Sequence, residues 1–164
     1  MTVSDVSARA SVPGPFPLLV INGPNLGHIG QRLPEVYGRQ GMDEVVPLVE
    51  RLLGARANDV ELSFFQSNGE GAIIDRLEAA KAGGARGIVL NAGAYTHTSL
   101  AIADCLEWLG IPVIEVHISN VFAREDIRHS SHMAKHALGV ISGFGLMGYA
   151  LAVLALHEYL SGRR

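Results

Sequence analysis

Five short runs of apolar, mostly β-branched residues recur along this chain, and between them the apolar spacing changes to that of helices. The runs are residues 18–21, 60–66, 87–90, 113–118 and 138–142. The first is LLVI and the third GIVL, with no polar alternation, as strands buried on both faces require. Helical patterns occupy residues 42–53, 72–82, 99–109 and 147–159, with Gly83-Gly84 closing the second. Strand-then-helix alternation of this kind admits essentially one architecture, a parallel sheet wound on both faces by right-handed crossovers.

The expected fold is therefore α/β, a flavodoxin-like, doubly wound five-stranded parallel sheet in the order 2-1-3-4-5 with helices on both faces. At 164 residues the chain suits one domain. Residues 1–16 are small, polar and proline-containing, and are expected to form a disordered extension ahead of a single catalytic domain at 17–164. They lack the apolar centre of a signal peptide. Asp43 is a candidate N-cap for the first helix, with Pro47 in its first turn. Residues 124–137 read as a short helix or turn. Residues 137–156 contain no charge and mimic a membrane span, but Gly139, Gly143, Gly145 and Gly148 divide them into a strand, a turn and a helix.

Charge and cysteine content narrow the function. A net charge of −3 with no basic run argues against a nucleic-acid surface. One cysteine, Cys105, forms no internal disulfide and fits a reducing, cytoplasmic setting. It lies mid-helix and reads as packing.

The fourth strand carries the strongest chemical signal. Glu115, His117 and Ser119 alternate with Ile114, Val116 and Ile118, so the three polar side chains share one side near the strand's carboxyl end. A buried charge needs a partner, and a carboxylate beside an imidazole raises its pKa and orients it. A lone histidine here would be a satisfied core residue. With Glu115 beside it and Arg124 and Arg128 just ahead, an active site is the better reading. In such sheets ligands bind beyond the carboxyl ends of the strands, where Asn22, Asn25, Gln66, Ser67 and Asn91 also fall. That polar rim suits a hydroxylated, anionic small molecule.

Other signals weigh less. Residues 143–148, GFGLMG, match a dinucleotide-binding pattern between a strand and a helix, but no second strand with an acidic residue follows. Close packing of helix on strand explains them better. His129, His132 and His136 have helical spacing, yet no carboxylate or cysteine completes a metal set; a partly solvated helical face is expected. The nucleophile elbow of serine hydrolases is absent. Residues 22–41 form a long loop without helical period, of the kind that often serves as a lid. On it Arg32 and Tyr37 are five apart, and an arginine close to a phenol favours tyrosinate. Residues 96–99, Thr-His-Thr-Ser, serve as a helix cap, or place His97 against a ligand's hydroxyls.

Several stretches together resemble the type II 3-dehydroquinate dehydratases. They are INGPNLGHIG (21–30), RLPEVYG (32–38), FQSNGEG (65–71), LNAGAYTHTS (90–99), IPVIEVHISNV (111–121) and AREDIRH (123–129). The ending GVISGFGLMGY (139–149) is also similar, and the likeness runs from about residue 18 to 156. It implies a flavodoxin-like lyase of the shikimate or quinate pathway that converts 3-dehydroquinate to 3-dehydroshikimate and water through an enolate. No metal or organic cofactor is implied, and the family usually forms dodecamers of four trimers. Tyr37 resembles the family's base, with Arg32 holding it as tyrosinate. Asn25 resembles the residue that positions a water at the enolate. His117 resembles the general acid and Glu115 its orienter. The resemblance gives the substrate carboxylate to Ile118 and Ser119, and its hydroxyls to Asn91, His97 and Arg128. Arg124 resembles a support for the closing lid, and Asp104 a residue reaching a neighbouring subunit's site. Leu33 departs from the family, in place of an acidic residue, as do Phe122 and Gly69 in place of histidines. The rival reading, from another class, is a flavodoxin-like module that binds a nucleotide or flavin without catalysis.

Overall fold

The structure, a computed structural model, describes residues 15–29 and 41–162. Strands β1 (Phe16–Asn22), β2 (Val60–Gln66), β3 (Gly87–Asn91), β4 (Val113–His117) and β5 (Gly139–Ser142) form one parallel sheet. Their order is β2-β1-β3-β4-β5, as expected from the alternation of strands and helices. The helices are α1 (Val45–Leu53), α2 (Glu70–Ala82), α3 (Leu100–Leu109) and α4 (Met147–Leu160).

Burial follows position in the sheet. Every residue of the interior strands β3 and β4 is buried, whereas the edge strands β2 and β5 are only partly covered. Leu18, Val20, Val89, Ile114 and Val116 face α1 and α4, where they meet Val45, Val49, Leu53, Val153 and Leu156. Leu19, Ile21, Ile88, Leu90 and Val113 face the other way, onto Ile73 and Leu77 of α2 and Ile102, Leu106 and Leu109 of α3. The alternation of faces along each strand is what separates these two cores.

Several boundaries differ from the sequence reading. Phe16, expected in the extension, opens β1 and is buried; Pro15 and Pro17 beside it hide the start of the strand. Pro17 is tolerated because β3 pairs with β1 only from Leu18 onward. Residues 1–14 lie outside the described residues. A 3₁₀ turn, Met42–Glu44, precedes α1, and Asp43 lies inside it without capping the helix. Pro47 is the third helical residue of α1, so its missing N–H breaks no helical hydrogen bond. Strand β4 ends at His117, so Ser119 sits beyond the sheet in the turn that follows.

The stretch after β4 forms three short 3₁₀ turns, Val121–Ala123, Asp126–Arg128 and Ala134–His136. His129, His132 and His136 therefore share no helical face. A continuous helix does not form because other acceptors capture the backbone: Ser131 Oγ, nearby, takes the N–H groups of Met133 and Ala134, and the distant Thr96 O takes that of His132. Among the described residues no cluster of three or more His, Cys, Asp or Glu could hold a metal ion.

The GFGLMG stretch packs helix onto strand, as expected. A Cβ on Gly148 would lie 3.4 Å from Val116 Cγ1 and 3.5 Å from Ile141 Cγ2. Gly143 has a φ of +93°, and a Cβ there would come within 3.1 Å of Asn120 Cβ. Its N–H donates to His117 O at 3.1 Å, and that of Gly145 to Ile118 O at 3.0 Å. This turn thus pins the carboxyl end of β4. No helix among the described residues is long and apolar enough to cross a membrane.

Candidate active site

The polar row on β4 forms a buried pair. His117 Nε2 and Glu115 Oε1 are 2.6 Å apart, with Glu115 1% exposed and His117 6%. Two residues of one strand meet here because their side chains leave the same face. Glu115 Oε2 accepts a 2.8 Å hydrogen bond from Ser131 Oγ, so both carboxylate oxygens are engaged. The ring of His117 stacks on that of His97, with centroids 6.2 Å apart and planes inclined by 16°. His97 is held in turn by its Nδ1, 2.7 Å from Ser130 O. With Nε2 committed to Glu115, Nδ1 is the nitrogen that His117 offers to a ligand, and it has no hydrogen-bond partner among the described residues.

A cleft of about 220 Å³ opens beside this pair, beyond the carboxyl ends of β1, β3 and β4. Its walls include Asn25, Asn91, His97, His117, Ile118, Ser119, Arg124 and Arg128, while Asn22, Gln66 and Ser67 of the expected polar rim do not line it, nor do Glu115 and Asp104. Among the described residues lining it there is no carboxylate, while two arginines and three histidines are present, His28 being the third. That lining favours an anion.

The floor is braced from α4. Tyr149 is fully buried, and its hydroxyl donates to Asn22 Oδ1 at 2.7 Å and accepts from Asn91 Nδ2 at 2.8 Å. Burial pushes the Tyr149 phenol far above its ordinary range, outweighing the Asn91 bond, so it stays protonated. Asn91 Oδ1 also accepts from Gly93 N at 3.2 Å. One amide proton and one lone pair of Asn91 remain for a ligand. Gly23 lets the two loops meet: a Cβ there would fall 2.3 Å from Ala92 O.

Asn25 takes a left-handed conformation, φ 66°, which asparagine tolerates better than most residues, and its N–H donates to Asn68 Oδ1 at 3.0 Å. At the opposite rim Glu125 Oε2 accepts from Arg128 Nε at 2.9 Å and lies 3.6 Å from Arg124 Nε. A backbone hydrogen bond, then the Arg128 bond, hold the exposed Glu125 carboxyl below its usual range. Ser119 O is fixed by Ser142 Oγ, which donates to it at 3.1 Å.

Asp104 is exposed on α3 and does not line this cleft. Arg32, Leu33 and Tyr37 lie outside the described residues. Cys105 is half-buried; burial, then the charge of Glu78, push its thiol up, which suits packing and not nucleophilic attack. Sequence reasoning missed Ser131, Glu125 and Tyr149. The pattern Ser-x-Met-Ala is compatible with a serine turn, but nothing in it reveals that Ser131 meets Glu115, sixteen residues away.

A flavodoxin-like sheet with a buried acid–base pair at the mouth of an anion-attracting cleft defines an α/β enzyme that moves protons on a small anionic substrate. Residues 16–157 match the family model described as dehydroquinase class II, and the chain belongs to that family. It is 50% identical over 146 residues to a 3-dehydroquinate dehydratase of Exiguobacterium, covering 89% of this chain and 97% of that protein. A 3-dehydroquinate dehydratase of Synechococcus strain WH7803 is 48% identical over 147 residues, covering 88% and 97%. The crystal structure of a type II dehydroquinase from Butyrivibrio crossotus superposes with a TM-score of 0.79 at 43% identity, covering 87% of this chain and 97% of that one.

Proposed function

We infer that the chain dehydrates 3-dehydroquinate to 3-dehydroshikimate, a step of the shikimate pathway. The observation that carries the mechanism is the Glu115–His117 pair, buried on one side and open on the other to a cleft walled by Arg124 and Arg128. The proton at C2 of the substrate is adjacent to a ketone, so its removal gives an enolate. Tyr37, kept ionised by Arg32, is the base by resemblance to the family. The enolate expels the C1 hydroxyl, a poor leaving group that needs a proton as it departs.

His117 supplies that proton from Nδ1. Its Nε2 keeps a proton throughout, shared with Glu115, so the ring ends each turnover as the correct tautomer. Glu115, 2.6 Å from Nε2, holds the ring so that Nδ1 faces the cleft. The proton taken by Tyr37 and the one given by His117 balance, and water carries the oxygen away. Asn25 positions a water near the developing enolate oxygen. Ser119 and the N–H groups of Ile118 and Ser119 take the substrate carboxylate, while Asn91, Arg128 and Nε2 of His97 take hydroxyls. Arg124 supports the cleft's closed state. These roles need no cofactor, and a cytoplasmic location accords with them.

The protein acts as a homo-oligomer in this reading, the family's dodecamer of four trimers. Leu100 and Trp108 flank Asp104 on the outer face of α3, one helical turn to either side, and are 63% and 59% exposed. An apolar face of that kind suits a neighbouring copy, which would carry Asp104 to that neighbour's cleft.

The test is enone absorbance on adding 3-dehydroquinate to the purified protein, repeated with His117→Ala. The variant is expected to lose about 10²–10⁴-fold in kcat, measured at a temperature where circular dichroism shows it folded. No absorbance with the wild-type protein overturns the activity, and an unimpaired His117→Ala overturns the assigned acid.

A further inference from the structure

We propose that Ser131 is a positioning residue for the dehydration, acting on His117 through Glu115; this rests on the roles given to that pair above. Ser131 belongs to none of the strands or helices. Its hydroxyl nonetheless makes three hydrogen bonds: it accepts from Met133 N at 3.0 Å and Ala134 N at 3.0 Å, and donates to Glu115 Oε2 at 2.8 Å. A serine hydroxyl has two lone pairs and one proton. The two backbone N–H groups occupy both lone pairs, so the proton has a single destination, the carboxylate. Its direction is set by the backbone and does not depend on the ligand.

The consequence reaches the acid. Glu115 Oε2 accepts from Ser131, and Oε1 faces His117 Nε2 at 2.6 Å. With one oxygen anchored by a fixed donor, the carboxylate plane cannot rotate away from the imidazole. Glu115 is 1% exposed, so no solvent competes with Ser131 for that oxygen. Ser131 thus sets the orientation of Glu115.

The segment carrying Ser131 is itself held. Met133 is 0% exposed and packs into the core with Ile102, Leu106, Leu109 and Val113. Ser130 O takes His97 Nδ1, and the N–H of His132 reaches Thr96 O at 2.9 Å. Three successive residues, 130–132, therefore tie the loop before β5 to His97, Glu115 and Thr96. Ser131 touches no position where substrate would sit, so its effect belongs in turnover and not in binding.

The test measures kcat and KM of Ser131→Ala, Ser131→Thr, Glu115→Gln and the double variant Ser131→Ala/Glu115→Gln. Ser131→Ala is expected to lower kcat about 10-fold or more, the scale of a hydrogen bond to a charged group, with KM within about twofold. Ser131→Thr, which keeps the hydroxyl, should restore most of the loss. In the Glu115→Gln background the serine substitution should cost little more, because the group it acts on has been changed. Should Ser131→Ala fail to fold, Ser131→Cys, which keeps the volume and weakens the hydrogen bonds, takes its place. Equal losses with and without Glu115, or a lowered melting temperature with unchanged kcat, would reduce Ser131 to a turn cap and overturn the proposal. A Glu115→Gln protein with wild-type kcat overturns instead the orienting role of Glu115 on which it rests.

Discussion

Tyr149→Phe deletes one oxygen atom and strands two asparagines. The Tyr149 hydroxyl is the hydrogen-bond partner that joins Asn22 Oδ1 to Asn91 Nδ2, at 2.7 and 2.8 Å, and all three residues are buried, at 0%, 3% and 3% exposure. A buried polar group left without its partner costs about 1–3 kcal/mol. Two such groups put the loss at about 2–6 kcal/mol, a substantial share of the roughly 5–15 kcal/mol that holds a typical domain together. At about 2–4 °C per kcal/mol for a chain of this size, the melting temperature should fall by roughly 4–24 °C. Urea titration followed by circular dichroism, at matched protein concentration, reads the loss directly. Activity should fall too, because Asn91 would be freed to turn away from the cleft. A loss below about 1 kcal/mol would refute the reasoning: it would mean that Asn22 and Asn91 find other partners, and that Tyr149 does not brace the floor.

Two further perturbations address the rim and the glycine turn. Glu125→Gln should leave the melting temperature essentially unchanged, since the carboxylate is exposed and screened. It should alter KM more than kcat by freeing Arg124 and Arg128. The same pairs are present at neutral pH and are lost on acidification, as pH falls through the lowered Glu125 pKa; a ligand titration that changes equally in wild type and Glu125→Gln across that range would refute the restraint. Gly148→Ala should keep activity and fold as well as the wild type or up to about 1 kcal/mol better, since its Cβ meets only ordinary contacts. Gly143→Ala should cost about 1–3 kcal/mol, because φ is +93° and Asn120 is close. A severe loss at Gly148 with none at Gly143, measured by thermal melts, would reverse this account of the turn.

The strands and the sheet order were legible because they rest on local periodicity. An interior strand needs an unbroken apolar run, and each run here is followed by a helical spacing that leaves little choice of topology. The Glu115–His117 pair was legible for the same reason, since a two-residue separation on a strand brings side chains together whatever lies elsewhere. Local pattern failed where distant or non-repetitive contacts decide. His129, His132 and His136 have helical spacing, but Ser131 and Thr96 capture the backbone and no continuous helix forms. Phe16 looked like part of a tail until pairing with Val60 drew it into the sheet.

The sequence by itself therefore determined a parallel, doubly wound sheet and an acid–base couple on its fourth strand, both being properties of residue period. Only the tertiary structure decided what holds that couple and what braces the cleft floor beside it. Ser131 lies sixteen residues from Glu115, and Tyr149 is 127 residues from Asn22. Such bonds depend on where loops and helices come to rest on the sheet, and packing sets that position where no local periodicity can.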